Sequence, residues 1–394
     1  VHNNRVMGVP MEPRAGVAEY EPETGHMTLH TPTQGLGSLK EATCAIFGLS
    51  EDKVRILCRD VGGAFGHRNL MFPELVAILW AAKRLGRAVK WVGERGECFL
   101  SDPAGRDIAS HAELALDADG RFLAIRVEHM PNFGIEAIIK QAFVRSVDFV
   151  VGVYDFPAAY VKSTGVYTHT GPISVLRSAG RPEPMFMLER LIDTAVAELG
   201  MDPIELRRLN MIPPQAIPYL SATDVLYDSG EFEANMDGVL EFADRDGFAE
   251  RKAAAAARGN LLGFGLANYI EWATGVPQER AEVEIQPQGR VEVVIGTLAS
   301  GQGHETSYAQ VVSELLGVDF DCVDLVQGDS DRVKFGAGSH SSRSMRLAGT
   351  LIKWASDEII AKGKRIAAQV LEAAEADIAF ADGAFRVTGT DRAL

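Results

Sequence analysis

The sequence predicts an α+β fold with two lobes, each built on one copy of a duplicated hairpin–loop–helix–strand–loop unit. Three observations carry that expectation. Short runs of alternating apolar and polar residues occur near both ends of the chain, a helical apolar stripe follows each run, and Gly-rich loops recur at matched places. With 394 residues, 46% of them hydrophobic, the chain can bury enough surface for two lobes.

The first copy opens with a hairpin of residues 17–20 and 27–31, turning at 22–25. The loop Thr33-Gln34-Gly35 leads into a helix from about Ser38 to Phe47. Leu39, Thr43, Ile46 and Phe47 approximate one helix face, and Ser38 with Glu41 forms a capping box. Gly48-Leu49, a strand over 54–58 and the loop Gly62-Gly63-Ala64-Phe65-Gly66 complete the unit.

The second copy repeats the order. Residues 283–285 and Val291–Ile295 form a hairpin around 287–289, and Gly301-Gln302-Gly303 follows. A helix from about Thr306 to Leu316 places Tyr308, Val311, Val312, Leu315 and Leu316 on one face. Gly317-Val318, the strand Val323–Val326 and a small-residue loop over 336–344 close it. Spacing supports the match: Gln34 lies 14 residues before Gly48 and Gln302 lies 15 before Gly317, while Gly48 to Val54 and Gly317 to Val323 are both 6.

Between the copies, 72–85 reads as an apolar helix ended by Gly86, and 112–127 as a hairpin turning at Asp119-Gly120. Pro182–Leu199 reads as a helix with Phe186, Leu188, Leu191, Ile192 and Val196 inward. Residues 210–235 suggest an extended crossing segment, and 238–258 an Ala-rich surface helix. The expected divisions are therefore 1–210, a crossing segment 211–279, and 280–394. Val1 at the start, and 380–385 reading as a hairpin just begun, suggest part of a longer polypeptide.

A net charge of −15 argues against nucleic acid and anionic membranes as partners, and no apolar run approaches the roughly 20 residues of a membrane span. Cys44, Cys58, Cys98 and Cys322 are scattered without a CxxC, as expected of buried thiols in a reducing, cytoplasmic compartment. Such spacing cannot hold an iron–sulfur cluster, so any electron relay lies on another chain. The nine histidines contain no HExxH, and His304 reads as a solvent-facing loop residue. Neither GxGxxG nor GxxxxGK[ST] is present. Ser341, Ser342 and Ser344 read as hydroxyl donors to an anion. Four loops of Gly and small residues allow close backbone approach to a large phosphate-bearing ligand between lobes; the alternative is that they are ordinary turns.

Read together, these loops resemble the molybdenum hydroxylase large-subunit family of xanthine dehydrogenase, aldehyde oxidase and aerobic carbon monoxide dehydrogenase. The resemblance rests on Asn4-Arg5 with Pro10-Met11-Glu12-Pro13-Arg14, Asp60-Val61-Gly62-Gly63-Ala64-Phe65-Gly66, and Arg177-Ser178-Ala179-Gly180-Arg181-Pro182-Glu183. Leu199-Gly200-Met201-Asp202-Pro203 before Arg207-Arg208-Leu209-Asn210, Gly301-Gln302-Gly303-His304-Glu305-Thr306, Gly328-Asp329 and Ser342-Arg343-Ser344 extend it across the chain.

That resemblance implies a molybdenum-cofactor-binding domain holding molybdopterin, as its cytosine dinucleotide, with molybdenum on the pterin dithiolene. By position Gln34, Phe65, Arg177 and Ser341 would surround the metal without ligating it. The backbone of Gly63, Ala64, Phe65 and Gly66, with Gln302, Gly303, His304, Ser342 and Ser344, would hold the pterin and its phosphates. The family oxidises an aldehyde or N-heterocycle with water as oxygen source, passing electrons to iron–sulfur and FAD subunits. Its glutamate base lies in a GxGE-type loop near the subunit's C-terminus. Gly230-Glu231 matches a different stretch, so no catalytic base is expected here and the isolated chain is expected to be inactive. Two positions bear on substrate. The copper-dependent carbon monoxide enzymes carry cysteine where Ser178 stands, and a hydroxyl is a poor soft-metal ligand. Purine enzymes place an aromatic ring near Ala179, which cannot stack; Tyr269 and Trp272 are alternative ring-gripping candidates. Two other classes stay open: a catalytically inert cofactor-binding or assembly fragment, and a binder of an ordinary dinucleotide.

Overall fold

The computed structural model describes residues 1–394, the side chains of Gln141 and Ala142 excepted. Its mixed helices and sheets form two compact units, one of Val1–Gly8 with Pro103–Glu271, the other of Val9–Asp102 with Trp272–Leu394.

The second unit contains both repeat copies. In the first, Ala15–Glu21 pairs antiparallel with His26–His30, and Val54–Leu57 returns parallel to His26–His30 with Met27 opposite Val54. A parallel return needs a crossover connection, which the helix Leu36–Phe47 supplies. Val89–Val92 pairs with the outer side of Ala15–Glu21. The second copy repeats the plan: Ala281–Ile285 is antiparallel to Val291–Ile295, Val323–Val326 is parallel to it with Val291 opposite Val323, and His304–Leu316 makes the crossover. Alternate residues Met27 and Leu29 of one strand, with Ala18 and Ile56, bury against Leu39 of one helix and Leu75 and Leu79 of another. Val291, Val293 and Ile295 do the same with Tyr308, Val312 and Leu316.

The expected divisions at 210 and 280 do not coincide with these units, because the two copies are sewn together. Cys58 N–H donates to Gly328 O at 2.7 Å, Ser330 N–H donates to Ile56 O at 3.0 Å, and Ile56 N–H donates to Ser330 Oγ at 2.9 Å. The Arg55 guanidinium adds a two-pronged pair to Asp329 at 3.0 and 2.7 Å. Gly328 has φ +77°, and a Cβ there would fall 2.0 Å from Cys58 O. Only glycine allows that approach.

In the first unit the sheet order is His2–Val6, Gly105–Leu116, Phe122–Gly134 and Ala159–Ser163, with the last pairing parallel. The helix Pro182–Leu199 packs Met187, Leu188 and Ile192 against Phe122, Ile125 and Val127. Three local expectations are corrected. Phe186 is 45% exposed, because the buried stripe runs through Met185, Leu188, Ile192 and Ala195. The proposed 238–258 helix is two, Phe232–Phe242 and Phe248–Ala257, broken where Asp244 takes φ +45° and Arg251 turns back onto it. The helix Leu36–Phe47 starts two residues before the expected Ser38, with Gly35 at its N-cap and no side-chain cap. At the C-terminal end, Ile378–Ala381 and Ala384–Val387 close a hairpin whose outer strand also pairs with residues 392–394.

A buried polar network fixes the helix Pro203–Asn210 to Pro182–Leu199. Arg207, fully buried, donates to Glu189 Oε2 at 2.8 Å and to Asp193 Oδ1 at 2.9 Å, and Tyr154 Oη donates to Glu189 Oε1 at 2.6 Å. Removing one member leaves a buried charge unmatched, so Arg207→Ala should cost about 3–5 kcal/mol of unfolding free energy in denaturant titration. A second expectation concerns pH. His129, 1% exposed and 2.8 Å from Ser110 Oγ, has its pKa lowered by burial from 6.5 to about 4. The unfolded chain therefore binds the proton more readily, so this contribution to stability is complete above pH 6.5 and is lost as pH falls toward 4. The loss should reach about 3 kcal/mol. Stability measured between pH 7 and 4 should show it, with a smaller slope in His129→Gln.

Candidate functional site

Gln34 is the hinge of the candidate site in the second unit. It is 6% exposed, and its Oε1 accepts from Gly66 N–H at 2.8 Å while its Nε2 donates to Ser339 O at 3.2 Å. Ser339 N–H donates back to Gln34 O at 3.0 Å. One amide thus joins the glycine loop of the first copy to the small-residue loop of the second. A Cβ on Gly338 would meet Gln34 O at 2.2 Å, which explains a glycine there.

Within the first-copy loop Ala64 is buried and Phe65 is 43% exposed with φ +54°. Gly63, at φ +101°, lies under the Phe65 ring, where a Cβ would come within 2.9 Å. Gly62 N–H is taken by Glu12 and Gly66 N–H by Gln34, while those of Gly63, Ala64 and Phe65 have no partner among the described residues. Arg68, at the loop's end, is 2% exposed and anchors it, receiving Gln34 N–H and Thr33 Oγ1 on its carbonyl and donating Nη2 to Glu12 O.

The second-copy loops differ from expectation in detail. His304 is the first residue of its helix and 4% exposed, not a solvent-facing loop residue. Its Nδ1 lies 2.8 Å from Thr297 O, its ring stacks on Tyr308 at 4.8 Å, and burial lowers its pKa. Gln302, by contrast, is exposed and folds its amide oxygen onto Ser300. The two glutamines at matched places therefore have unlike environments: Gln34 is a strut and Gln302 a turn closer. Gly301 and Gly303 have positive φ, and a Cβ on either would meet nothing within 4 Å, so open space lies before the helix N-terminus.

Ser341 and Ser342 both adopt left-handed backbone, φ +52° and +57°, a conformation that costs non-glycine residues of order 1–3 kcal/mol each. It is held from both sides. Thr274 N–H donates to Ser341 O at 3.0 Å, and fully buried Arg343 bonds Gly338 O and Glu279 Oε2, both at 2.7 Å, and Val276 O at 3.1 Å. Ser344 Oγ reaches Ser339 Oγ at 3.0 Å, and Tyr308 Oη lies 2.8 Å from Thr297 Oγ1. Gln34 ties the loop at 63–66 to Ser339, Ser344 ties Ser339 to the turn at 341–344, and the helix that starts at His304 shares a core with the next segment through Tyr308 and Ala348.

Arg177 lies in the first unit, on a loop with three successive positive-φ residues, Ser178 (+73°), Ala179 (+44°) and Gly180 (+93°). Its side chain is exposed, and its carbonyl accepts from Arg106 Nη2 at 2.5 Å. Ser178 Oγ donates to Glu271 Oε2 at 2.6 Å, and Arg181 pairs with Glu271 Oε1 at 2.9 Å. This loop borders a groove of about 650 Å³ with Met185, Phe186, Leu266 and Ile270 among its walls. Tyr269, 71% exposed, also lines it; Trp272 belongs to the other unit. Sequence reasoning missed Glu271, which carries no motif and sits 93 residues from Ser178.

Chemically, the second-unit loops offer backbone N–H groups, serine hydroxyls and a helix N-terminus, a donor set suited to phosphates and a polar heterocycle. The open space at Gly301 and Gly303 fits such a group. Glu305 in the first helical turn opposes an anion, and it is engaged by Gln327 Nε2.

Family-model comparison matches a molybdopterin cofactor-binding domain over residues 1–211 and a second such domain over 239–394. Among curated proteins, the 6-hydroxypseudooxynicotine dehydrogenase complex subunit gamma of Paenarthrobacter nicotinovorans is 34% identical over 99% of this chain and 50% of its own length. The carbon monoxide dehydrogenase large chain of Hydrogenophaga pseudoflava is 32% identical over 98% and 51%. The crystal structure of quinoline 2-oxidoreductase from Pseudomonas putida 86 superposes with a TM-score of 0.90 at 32% identity, covering 99% of this chain and 52% of that one. The chain thus spans about half the length of the relatives it matches. No helix among the described residues is long and apolar enough to cross a membrane.

The Gln34 strut makes a direct expectation. Gln34→Leu strands Gly66 N–H and Ser339 O and should lower the stability of the cofactor-free protein by about 1–3 kcal/mol in denaturant titration. Unchanged stability would show that the amide does not join the loops.

Proposed function

Because the chain belongs to the molybdopterin cofactor-binding family of molybdenum hydroxylase large subunits, we propose that it forms the cofactor-holding part of an oxidoreductase acting on an aldehyde or N-heterocycle. The observation that carries this reading is the assembly of loops 63–66, 302–304 and 341–344 within one unit, joined by Gln34, by Ser344 and by the shared core of Tyr308 and Ala348.

In this reading the backbone of Gly63, Ala64, Phe65 and Gly66, with Gln302, Gly303, His304, Ser342 and Ser344, holds the pterin and the phosphates of a cytosine dinucleotide. Gln34, Phe65, Arg177 and Ser341 form the metal's surroundings. When bound, the molybdenum cofactor supplies the redox chemistry that moves oxygen from water to carbon. The protein's part is placement and charge. Gln34 spends one N–H on Ser339 and keeps the second for the cofactor. His304, held neutral near pH 7 by burial, keeps its ring on Tyr308 and its Nδ1 on Thr297, which fixes the start of the helix facing the phosphates.

The substrate class rests on Ser178 and on the relatives. The Ser178 hydroxyl is committed to Glu271, and oxygen is in any case a poor copper ligand, which disfavours carbon monoxide. Two of the relatives above are named for 6-hydroxypseudooxynicotine and quinoline, in keeping with an N-heterocycle. No GxGE run occurs in the 394 residues, so the catalytic base, like the iron–sulfur clusters and FAD, belongs in this reading to other polypeptide: the rest of a large subunit and partner chains of a cytoplasmic complex.

Molybdenum analysis of the protein, produced in a host that makes the cofactor, is the deciding measurement. About one molybdenum per chain, with cytidine monophosphate released by acid hydrolysis, is expected. Absence of molybdenum would leave an inert scaffold, and release of an ordinary dinucleotide would replace the assignment. In an assembled complex Arg177→Ala should reduce turnover about 100-fold while its unfolding midpoint stays close to wild type. The chain alone, assayed with aldehydes, N-heterocycles and an artificial electron acceptor, should show no turnover.

A further inference from the structure

The loop carrying Arg177 has Ser178, Ala179 and Gly180 left-handed in succession. Two of those residues have side chains, so the conformation must be held by the surroundings. Three groups hold it. Arg106, itself at φ +66°, donates Nη2 to Arg177 O at 2.5 Å and reaches Glu183 Oε1 at 3.3 Å. Arg181 folds back to Ser178 O at 3.1 Å. Glu271 takes Ser178 Oγ on one oxygen and Arg181 Nη1 on the other, at 2.6 and 2.9 Å.

Glu271 is therefore the group that bonds both sides of the turn at once, with Ala179 and Gly180 spanned between its two donors. It comes from 265–271, an irregular segment that also lines the groove beside the loop. The Arg177 side chain is exposed and makes no ion pair among the described residues. Nothing attached to the guanidinium aims it. The backbone sets the direction in which its side chain leaves the chain, and that backbone is held by Glu271 on one side and Arg106 on the other.

We infer that Glu271 is a positioning residue for Arg177: its carboxylate locks the left-handed 178–180 turn and so fixes the direction in which the Arg177 side chain leaves the backbone. The role rests on the reading that this loop borders the reacting centre. Glu271 does not touch the reacting atoms in this account; it acts through Ser178 and Arg181. It also keeps the Ser178 hydroxyl occupied as a donor, a role that alanine could not fill and that glutamine fills in part, since its single amide oxygen can accept from Ser178 or Arg181 but not from both as two carboxylate oxygens do.

The test uses the full chain assembled with its partner chains, as wild type, Glu271→Ala, Glu271→Gln, Ser178→Ala and the double variant Glu271→Ala/Ser178→Ala. Two kinds of readout are taken: amide hydrogen exchange at 178–180, and kcat, KM and molybdenum content with whichever of quinoline and benzaldehyde the wild type oxidises. Expected for Glu271→Ala are exchange at least about 10-fold faster at 178–180 and kcat down about 100-fold. Molybdenum content and unfolding midpoint should stay near wild type, with KM little changed. Glu271→Gln should fall between, and the double variant should match Glu271→Ala, because both substitutions break the same clamp. Unchanged exchange would overturn the clamp. A kcat that drops only in step with molybdenum content or folded fraction would overturn the positioning role and leave a purely structural pair. A wild-type complex loaded with molybdenum but without turnover would refute the functional reading instead, and would overturn the positioning role with it, while exchange at 178–180 decides the clamp separately.

Discussion

Each repeat copy presents a parallel edge strand, Val54–Leu57 in one and Val323–Val326 in the other, and the chain segment leaving the second covers the end of the first. An uncovered edge is a row of unpaired backbone groups. Here Cys58, Ile56 and Leu57 find theirs at 328–330, and the Arg55–Asp329 pair closes the seam from the side. Everything in the second-unit site follows. Once residues 56–58 and 328–330 are fixed together, the loops that leave them are confined to the same region, and Gln34 can bridge the two with a single amide. The glycines at 328 and 338 are the steric condition: a Cβ at either would push a carbonyl away by more than an ångström.

Much of this was legible in the amino-acid order because it is local. Two-residue alternation over Val291–Ile295 and the stripe from Tyr308 to Leu316 report which side chains face inward, and equal spacing in the two copies reports that the same plan recurs. The misreadings have a common physical origin in long-range burial. His304 looks polar and loop-like, yet Thr297 and Tyr308 enclose it. Phe186 fits the helical stripe, yet the face it occupies borders a groove. Alanine-rich 238–258 has high helical propensity throughout, and a single left-handed Asp244 divides it. The grouping of both copies in one unit depends on hydrogen bonds between residues more than 270 positions apart, which no periodicity reports.

The charged groups divide by purpose. Arg343 and Glu279 are both fully buried and matched one to one, with the remaining guanidinium hydrogens on carbonyls, the arrangement in which a buried pair is tolerated. Arg207 is treated in the same way by Glu189 and Asp193. Arg177 is left exposed on a strained loop. A chain with net charge −15 that would receive a phosphate-bearing group gains little from its overall field, so attraction must come from local dipoles: the N–H groups at 63–65, unpaired among the described residues, and the helix start at His304.

The second unit is interrupted in the chain: Pro103–Glu271 lies between Val9–Asp102 and Trp272–Leu394. During synthesis the first copy leaves the ribosome well before the residues that cover its edge exist. At roughly 5–20 residues per second the intervening segment takes on the order of 10–30 s to make. For that interval the Val54–Leu57 strand has no Gly328 or Ser330 to pair with, and the glycine loop has no Ser339 to meet Gln34. The nascent chain thus carries an open strand edge until those residues emerge, an exposure that the finished molecule no longer shows.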